Sequence, residues 1–337
     1  MKLKYYPYTL KLKYVFTLSS YSRITTPIIL TEIEHEGITG FGEASLPPYL
    51  GETQESGSNF LSKINLEQFE DPFRYEEILD YIDKIEEKNN AAKASVDIAL
   101  HDLAGKLRNI TCRQMFNLEF GESKFTSFTI GIDSIENIKR KVTEAEEYRI
   151  LKVKLGGEND KEIINAVREI TWKPISIDVN QGWKDKEYAF AMADWLADKN
   201  VLFIEQPFPV EWDEETFQLK DKTNIPIIAD EAVKTSSDLF KIKDIYSGIN
   251  VKLMKSKGMK EAFKMMTLAK HLGLKILLGC MTETSCAISA ASQLTSLADW
   301  LDLDGALLIN NDVFDGTKII DGKIIINKLP GIGIKKI

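Results

Sequence analysis

From about residue 125 onward the 337-residue chain repeats one local pattern, a short apolar run followed by an amphipathic stretch of helical period. The runs lie at 126–132, 150–155, 174–179, 201–205, 225–229, 248–253, 275–279 and 300–304. Segments such as 134–148, 184–199 and 257–272 carry the helix-like spacing between them. Short apolar runs of this kind read as strands covered on both faces, and strands joined through helices pair in parallel. Eight units spaced by about 25 residues are the number that closes a (β/α)8 barrel. The alternative, an open doubly wound sheet, favours a GxGxxG turn after an early strand, and the sequence has none.

The expected class is therefore α/β. A (β/α)8-type barrel is expected over 119–306, preceded by an α+β capping domain over 1–118. In that first part, 2–17 and 27–35 read as strands, 40–43 as the end of a third, 46–52 as a loop, and 73–87 and 90–107 as helices. A C-terminal segment, 307–337, carries Asp321-Gly322 between two apolar triplets, a hairpin signature. With the barrel already complete, this segment is expected to return to the cap.

Composition removes several kinds of chemistry. The three histidines, His35, His101 and His271, include no pair at metal-ligand spacing, so an HExxH zinc helix is excluded. The three cysteines, Cys112, Cys280 and Cys286, form no CxxC pair and suit a reducing compartment. The formal charge of -8 provides no electrostatic reason to expect nucleic acid or an anionic membrane as partner. Lysines interrupt every apolar run of the N-terminus, and no stretch approaches a membrane span. The expectation is a soluble cytoplasmic protein.

Charge interrupts the strands in a regular way. Side chains alternate faces along a strand. Lys152 and Lys154 thus share the inward face of 150–155, Asp178 and Asn180 that of 175–180, and Asn250 and Lys252 that of 248–253. Glu205 shares a face with Phe203, Asp230 with Ile228, and Asp302 and Asp304 both turn inward. From Lys154 through Asp178, Glu205 and Asp230 to Lys252 the steps are 24, 27, 25 and 22 residues, one per strand–helix unit. All therefore converge on the C-terminal mouth of the barrel, where active sites of this fold lie. Taken singly, each charge is as readily a solvated rim residue. Taken together, Asp178, Glu205 and Asp230 form an oxygen-only set that suits a hard cation, Mg²⁺ first and Mn²⁺ next.

With a substrate carboxylate on that cation, Lys154 and Lys252 approach from about opposite sides. One lysine can take an α-proton and the other return it on the far face, a 1,1-proton transfer through an enediolate stabilised by the metal. The base must be neutral when it acts, so its pKa is expected to be depressed by burial, the metal and Lys152.

The stretches Leu-Lys-Val-Lys (151–154), Ile-Asp-Val-Asn-Gln-Gly-Trp (177–183), Ile-Glu-Gln-Pro (204–207), Ala-Asp-Glu (229–231), Ile-Asn-Val-Lys-Leu-Met-Lys (249–255), Gly-Cys-Met-Thr-Glu-Thr (279–284) and Asp-Leu-Asp (302–304) resemble the enolase superfamily, muconate-lactonizing subgroup. Within it the closest likeness is to the dipeptide epimerases acting on L-Ala-D/L-Glu. Gly-Phe-Gly-Glu-Ala (40–44) and the helix from Lys93 resemble the superfamily's capping domain. The resemblance implies the superfamily's chemistry, a lysine base beside Mg²⁺ that stabilises an enediolate. The resemblance implies an isomerase that inverts the C-terminal residue of L-Ala-L/D-Glu-like dipeptides in cell-wall peptide metabolism. Lys154 and Lys252 become its acid/base pair. It further implies that Lys152 holds the substrate carboxylate and that Asp302 and Asp304 receive the α-ammonium. The plain alternative for that pair is loop capping or pairing with a nearby lysine. Side-chain selection is implied to come from the cap loops, where Arg23, within 21–25, can pair with a glutamate side chain or simply lie at the surface. Met281 reads as pocket lining, and Glu231 either as support to the metal site or as the start of the next helix. Lys257 stands where family members often have Gly. The implied partners are a small dipeptide and, in a homo-oligomer, further copies of the chain. A cycloisomerase or o-succinylbenzoate synthase of the same subgroup is the alternative, although neither has an amine for Asp302 and Asp304. A non-catalytic ligand-binding barrel and a phosphate-handling barrel stand further off.

Overall fold

The computed structural model describes residues 1–17 and 22–337. Three antiparallel strands, β1 (Lys2–Thr17), β2 (Ser22–His35) and β3 (Ile38–Ser45), pair in chain order. Strand β2 starts five residues ahead of the expected 27 and takes in Arg23; Tyr21 lies outside the described residues. Against this sheet lie α1 (Gln54–Leu61), α2 (Tyr75–Ile85), α3 (Asn90–Arg108) and the single turn α4 (Cys112–Met115). Helix α3 is buried from Ala91 to Gly105, on every side, because its alanines let neighbours approach closely. Gly42 of β3 crosses it so tightly that a Cβ would stand 1.8 Å from the Ser95 oxygen.

Each of the eight apolar runs contains a strand: β4 (Ser127–Ile130), β5 (Ile150–Lys154), β6 (Ile175–Asp178), β7 (Val201–Glu205), β8 (Ile227–Ala229), β9 (Gly248–Lys252), β10 (Lys275–Gly279) and β11 (Trp300–Asp302). They form one parallel sheet in sequence order, and a bridge between Thr126 and Leu301 joins its two ends. The connecting helices are α5 (Ile135–Glu144), α6 (Asp160–Ile170), α7 (Lys186–Leu196), α8 (Asp213–Lys222), α9 (Leu239–Ile242), α10 (Met259–His271) and α11 (Ser285–Ser292). Most of the apolar core lies between strands and helices. Phe203, Ile228 and Leu277 form a separate small cluster, on the inward face that alternation assigns to Phe203 and Ile228. None of the described helices is long and apolar enough to cross a membrane.

The C-terminal segment divides its contacts. Asn310 and Asn311 exchange main-chain and side-chain bonds with Lys11 of β1, at 2.9 and 2.7 Å. The strands β12 (Phe314–Asp315) and β15 (Lys335–Lys336) pair with each other, and Lys336 reaches Glu32 at 2.7 Å. Between them β13 (Lys318–Ile320) and β14 (Lys323–Ile325) form the hairpin announced by Asp321-Gly322, whose φ angles of 50° and 72° are those its turn requires. That hairpin does not return to the cap. Thr126 N donates to Gly322 O and Ile324 N to Lys124 O, which places it at the end of the barrel opposite the mouth.

Asp102 of α3 ties these parts together. Its buried carboxylate accepts from Phe41 N of β3 and Ile332 N of the tail, each at 2.9 Å, and from Lys106 Nζ at 2.6 Å. Asp102→Ala strands two buried amides and an ammonium, so it is expected to cost about 3 kcal/mol of stability. Urea denaturation of the two proteins measures the difference.

Candidate active site

Parallel pairing aligns Lys154 with Asp178, and Asp178 with Glu205, as direct neighbours. Their inward side chains meet at the strand ends. Lys152 Nζ lies 2.9 Å from Asp178, 2.8 Å from Glu205 and 2.7 Å from Asp302. Lys154 Nζ donates to Asp178 at 2.6 Å and to Asn180 Oδ1 at 3.1 Å. Across the mouth, Lys252 Nζ donates to Asp230 Oδ2 at 2.7 Å, while Lys255 Nζ donates to Asp230 Oδ1 and to the peptide oxygens of Asp230 and Asn250. Asn250 Nδ2 donates to Glu205 Oε1 at 2.7 Å.

Above this layer is a cavity of about 150 Å³. Lys152 and Lys154 line one wall, Lys252 another, and Asp302 and Asp304 a third; Arg23, Tyr49 and Met281 close it from the cap side and the β10–α11 loop. Asp178, Glu205 and Asp230 are gathered with the lysines but lie behind them. The two aspartates at the end of β11 differ. Asp302 is already bonded by Ser127 Oγ at 2.7 Å as well as by Lys152, whereas Asp304 accepts from Thr129 N at 2.8 Å.

The electrostatics follow from burial and contact. Burial alone pushes each carboxylate up, but Lys152 and Lys154 outweigh it at Asp178, and Lys252 and Lys255 at Asp230, so both are held low. At Glu205, burial and the Asp178 charge prevail and raise it to about 7. Asp304 is likewise raised to about 7 by burial and Asp302, and Glu231 to about 7 by burial and Asp230. Lys252 departs from the expected depression. Burial pulls it down, yet the Asp230 contact outweighs burial and raises it. Lys152 is raised in the same way by Asp178, Asp302 and Glu205.

Among the described residues, no three Asp, Glu, His or Cys side chains converge unaided as a coordination shell, because ammonium nitrogens stand between the carboxylates. The donor set nonetheless fits a hard divalent cation. Four ammonium groups, of Lys152, Lys154, Lys252 and Lys255, face six carboxylates, of Asp178, Glu205, Asp230, Glu231, Asp302 and Asp304. The formal excess is two negative charges, and three of those carboxylates respond by rising to about 7.

Asn180, which alternation turns inward, and several residues beyond the reach of alternation complete the site. Asn180 joins Lys154 to Glu231, accepting from the first and donating to the second at 3.3 Å. Glu231 therefore faces the mouth rather than a helix start. Lys255 follows its strand by three residues, beyond the reach of alternation, although it is among the residues of the matched 249–255 stretch. Lys257 occupies a left-handed position, φ 60°, which explains why glycine suits the place. Its ammonium turns away from the cavity to Asp83 of α2, at 2.8 Å. Arg23 is at the cavity wall, where its Nη2 donates to Thr282 Oγ1 at 2.9 Å. Next to it, buried Glu43 of β3 accepts from Thr284 N at 3.0 Å, from Thr284 Oγ1 and from Ala287 N, holding the loop that carries Met281.

Residues 5–116 match the mandelate racemase / muconate lactonizing enzyme N-terminal domain, and residues 135–336 the enolase C-terminal domain-like family. The L-Ala-D/L-Glu epimerase of Bacteroides thetaiotaomicron is 52% identical over 338 residues, covering 100% of this chain and 88% of the relative. A substrate-liganded complex of the L-Ala-D/L-Glu epimerase from Bacillus subtilis superposes with a TM-score of 0.94 at 25% identity, over 99% of this chain and 98% of that one. A dipeptide epimerase from Enterococcus faecalis, complexed with Mg and L-Leu-L-Tyr, superposes with a TM-score of 0.92 at 28% identity, over 98% of both.

Glu43 yields a pH prediction. Burial raises its carboxyl from 4.5 to about 7, against the bonds from Thr284. Between these values the folded chain keeps a proton that the unfolded chain releases, so the contribution of Glu43 is full below pH 4.5 and is lost as pH rises through 7. Glu43→Gln cannot ionise. Relative to wild type it is expected to become more stable across this window, by a few kcal/mol at most, read from denaturation midpoints at pH 5 and 7.5.

Proposed function

We propose, from the premise that the chain belongs to the enolase superfamily in its mandelate racemase/muconate lactonizing group, that it is a Mg²⁺-dependent dipeptide epimerase acting on L-Ala-D/L-Glu. The observation that carries this reading is that Lys154 and Lys252 line one cavity from β5 and β9, four places apart in a ring of eight strands. Two bases on opposite sides of one carbon are what inversion requires. The match of the whole chain to an L-Ala-D/L-Glu epimerase supports the substrate class.

In this reading Asp178, Glu205 and Asp230 hold the cation. The cation supplies positive charge beside the substrate carboxylate, where negative charge grows as the α-proton leaves. Lys152, anchored among three carboxylates, orients the substrate carboxylate. Lys154 takes or returns the proton on one face and Lys252 on the other. Asp304 receives the α-ammonium: it lines the cavity and accepts from Thr129 N, whereas Asp302 is held by Lys152. Asp302 is committed to Lys152 and Ser127 and acts with it through position. Arg23 offers its guanidinium to the acidic side chain of the second residue, and Met281 lines the same space. We assign 1–118 and 307–337 to the cap, apart from the 318–325 hairpin, and 119–306 to the barrel, and we place the enzyme in the cytoplasm in cell-wall peptide metabolism.

With Mg²⁺ in D2O, L-Ala-L-Glu is expected to acquire α-deuterium and yield the D-epimer, followed by NMR; a dipeptide panel giving neither exchange nor inversion sinks the reading. Lys154→Ala and Lys252→Ala should each abolish inversion. Asp304→Asn should raise KM for the dipeptide by roughly tenfold to a hundredfold and leave an N-acetylated analogue unaffected, because a buried charge pair is worth about 1.5–3 kcal/mol. An unchanged KM removes Asp304 from ammonium binding.

A further inference from the structure

Barrel helix α10 begins without a cap of its own. Gly258 precedes it and has no side chain to offer. The amides of Met259 and Lys260 donate instead to the carboxylate of Asp97, at 2.5 and 3.3 Å, a buried residue of α3 in the first domain. Gly258 is held at φ 116°, and a Cβ there would stand 2.4 Å from the Asp97 carboxyl. His101, one turn further along α3, faces the same carboxylate at 3.3 Å, and its ring is in contact with those of Tyr75 and Phe116.

The turn pinned in this way runs directly out of β9. Other groups of the first domain hold it as well. Asn90 Nδ2 of α3 donates to Lys255 O at 3.0 Å, Ser45 N of β3 to Met254 Sδ at 3.3 Å, and Asp83 pairs with Lys257. Lys252 is at the start of this turn, and Lys255 within it grips Asp230. The turn after Lys154 is held differently. Gly156 N and Gly157 N donate to Asp160 of α6, at 2.9 and 3.0 Å, and Trp183 Nε1 donates to the same carboxylate at 2.8 Å. That support comes entirely from the barrel.

We propose that Asp97 is a positioning residue for Lys252: by capping α10 from the other domain it fixes the 253–258 turn, and so sets one of the two bases and leaves the other to Asp160. The inference rests on the two-base reading above. A proton taken by a lysine exchanges with solvent on Nζ, and a deuteron returns to the same carbon. Each epimer therefore reports mainly on the base that faces its own α-hydrogen.

The test measures initial α-deuterium uptake from L-Ala-L-Glu and L-Ala-D-Glu separately, with Mg²⁺ present, in wild type and Asp97→Asn. Lys252→Ala and Lys154→Ala identify which epimer each base serves. Asp97→Asn is expected to slow uptake from the epimer served by Lys252 by about tenfold or more, the scale of an ångström-level misplacement, and to leave the other within about twofold. Gly258→Ala, which disturbs the same contact from the barrel side, should bias uptake in the same direction. Should Asp97→Asn not fold, Asn90→Ala is expected to show the bias more weakly. Equal slowing of both epimers in a folded variant, or no slowing of either, overturns the proposal. Wild type exchanging neither epimer overturns the epimerase reading instead.

Discussion

Charge buried at the mouth of a closed barrel is tolerable only where each charge meets its opposite at bonding distance, and that constraint shapes the rest of the molecule. Lys152 is nearly enclosed and survives as an ammonium because three carboxylates surround it within 2.9 Å. Asp230 survives as a carboxylate because two lysines reach it. The pairing depends on register. A slip of one residue in β5 would turn Lys152 and Lys154 outward into the apolar helical layer and leave Asp178 and Glu205 uncompensated. The apolar cluster of Phe203, Ile228 and Leu277 enforces the same register, since these residues alternate with outward-facing neighbours on their strands.

Both domains use one device where they meet: a buried carboxylate on the first domain accepts main-chain amides from elsewhere. Glu43 takes those of Thr284 and Ala287, and Asp97 those of Met259 and Lys260. Amides at the start of a helix lack partners within it and carry partial positive charge, so each carboxylate satisfies donors and gains from the local dipole. The first domain thereby holds the loops after β9 and β10 and leaves those after β5 and β6 to the barrel.

Strand alternation made the inward set from Lys152 to Asp304 legible, because it depends only on parity within short apolar runs. It held two residues past the strand at Asn180, whose side chain meets Lys154 and Glu231 although its backbone is left-handed at φ 46°. Lys255, Glu43 and Asp97 act through contacts between segments distant in sequence, which no local pattern encodes. The hairpin at Asp321-Gly322 was legible as a hairpin, but its seat against 124–126 depends on main-chain bonds to the far end of the barrel. The direction of the Lys252 shift was unreadable for a related reason. Burial and a carboxylate push it in opposite senses, and only the 2.7 Å contact with Asp230 decides between them.

That contact also bears on how Lys252 can serve as a base. Asp230 has two oxygens, and each holds a lysine: Oδ1 holds Lys255 and Oδ2 holds Lys252. Lys255 is anchored further by the peptide oxygens of Asp230 and Asn250, so it stays when the carboxylate is shared. Were Asp178, Glu205 and Asp230 to hold a divalent cation, as proposed, its positive charge would favour the neutral form of Lys252, while Lys255 would remain on Asp230.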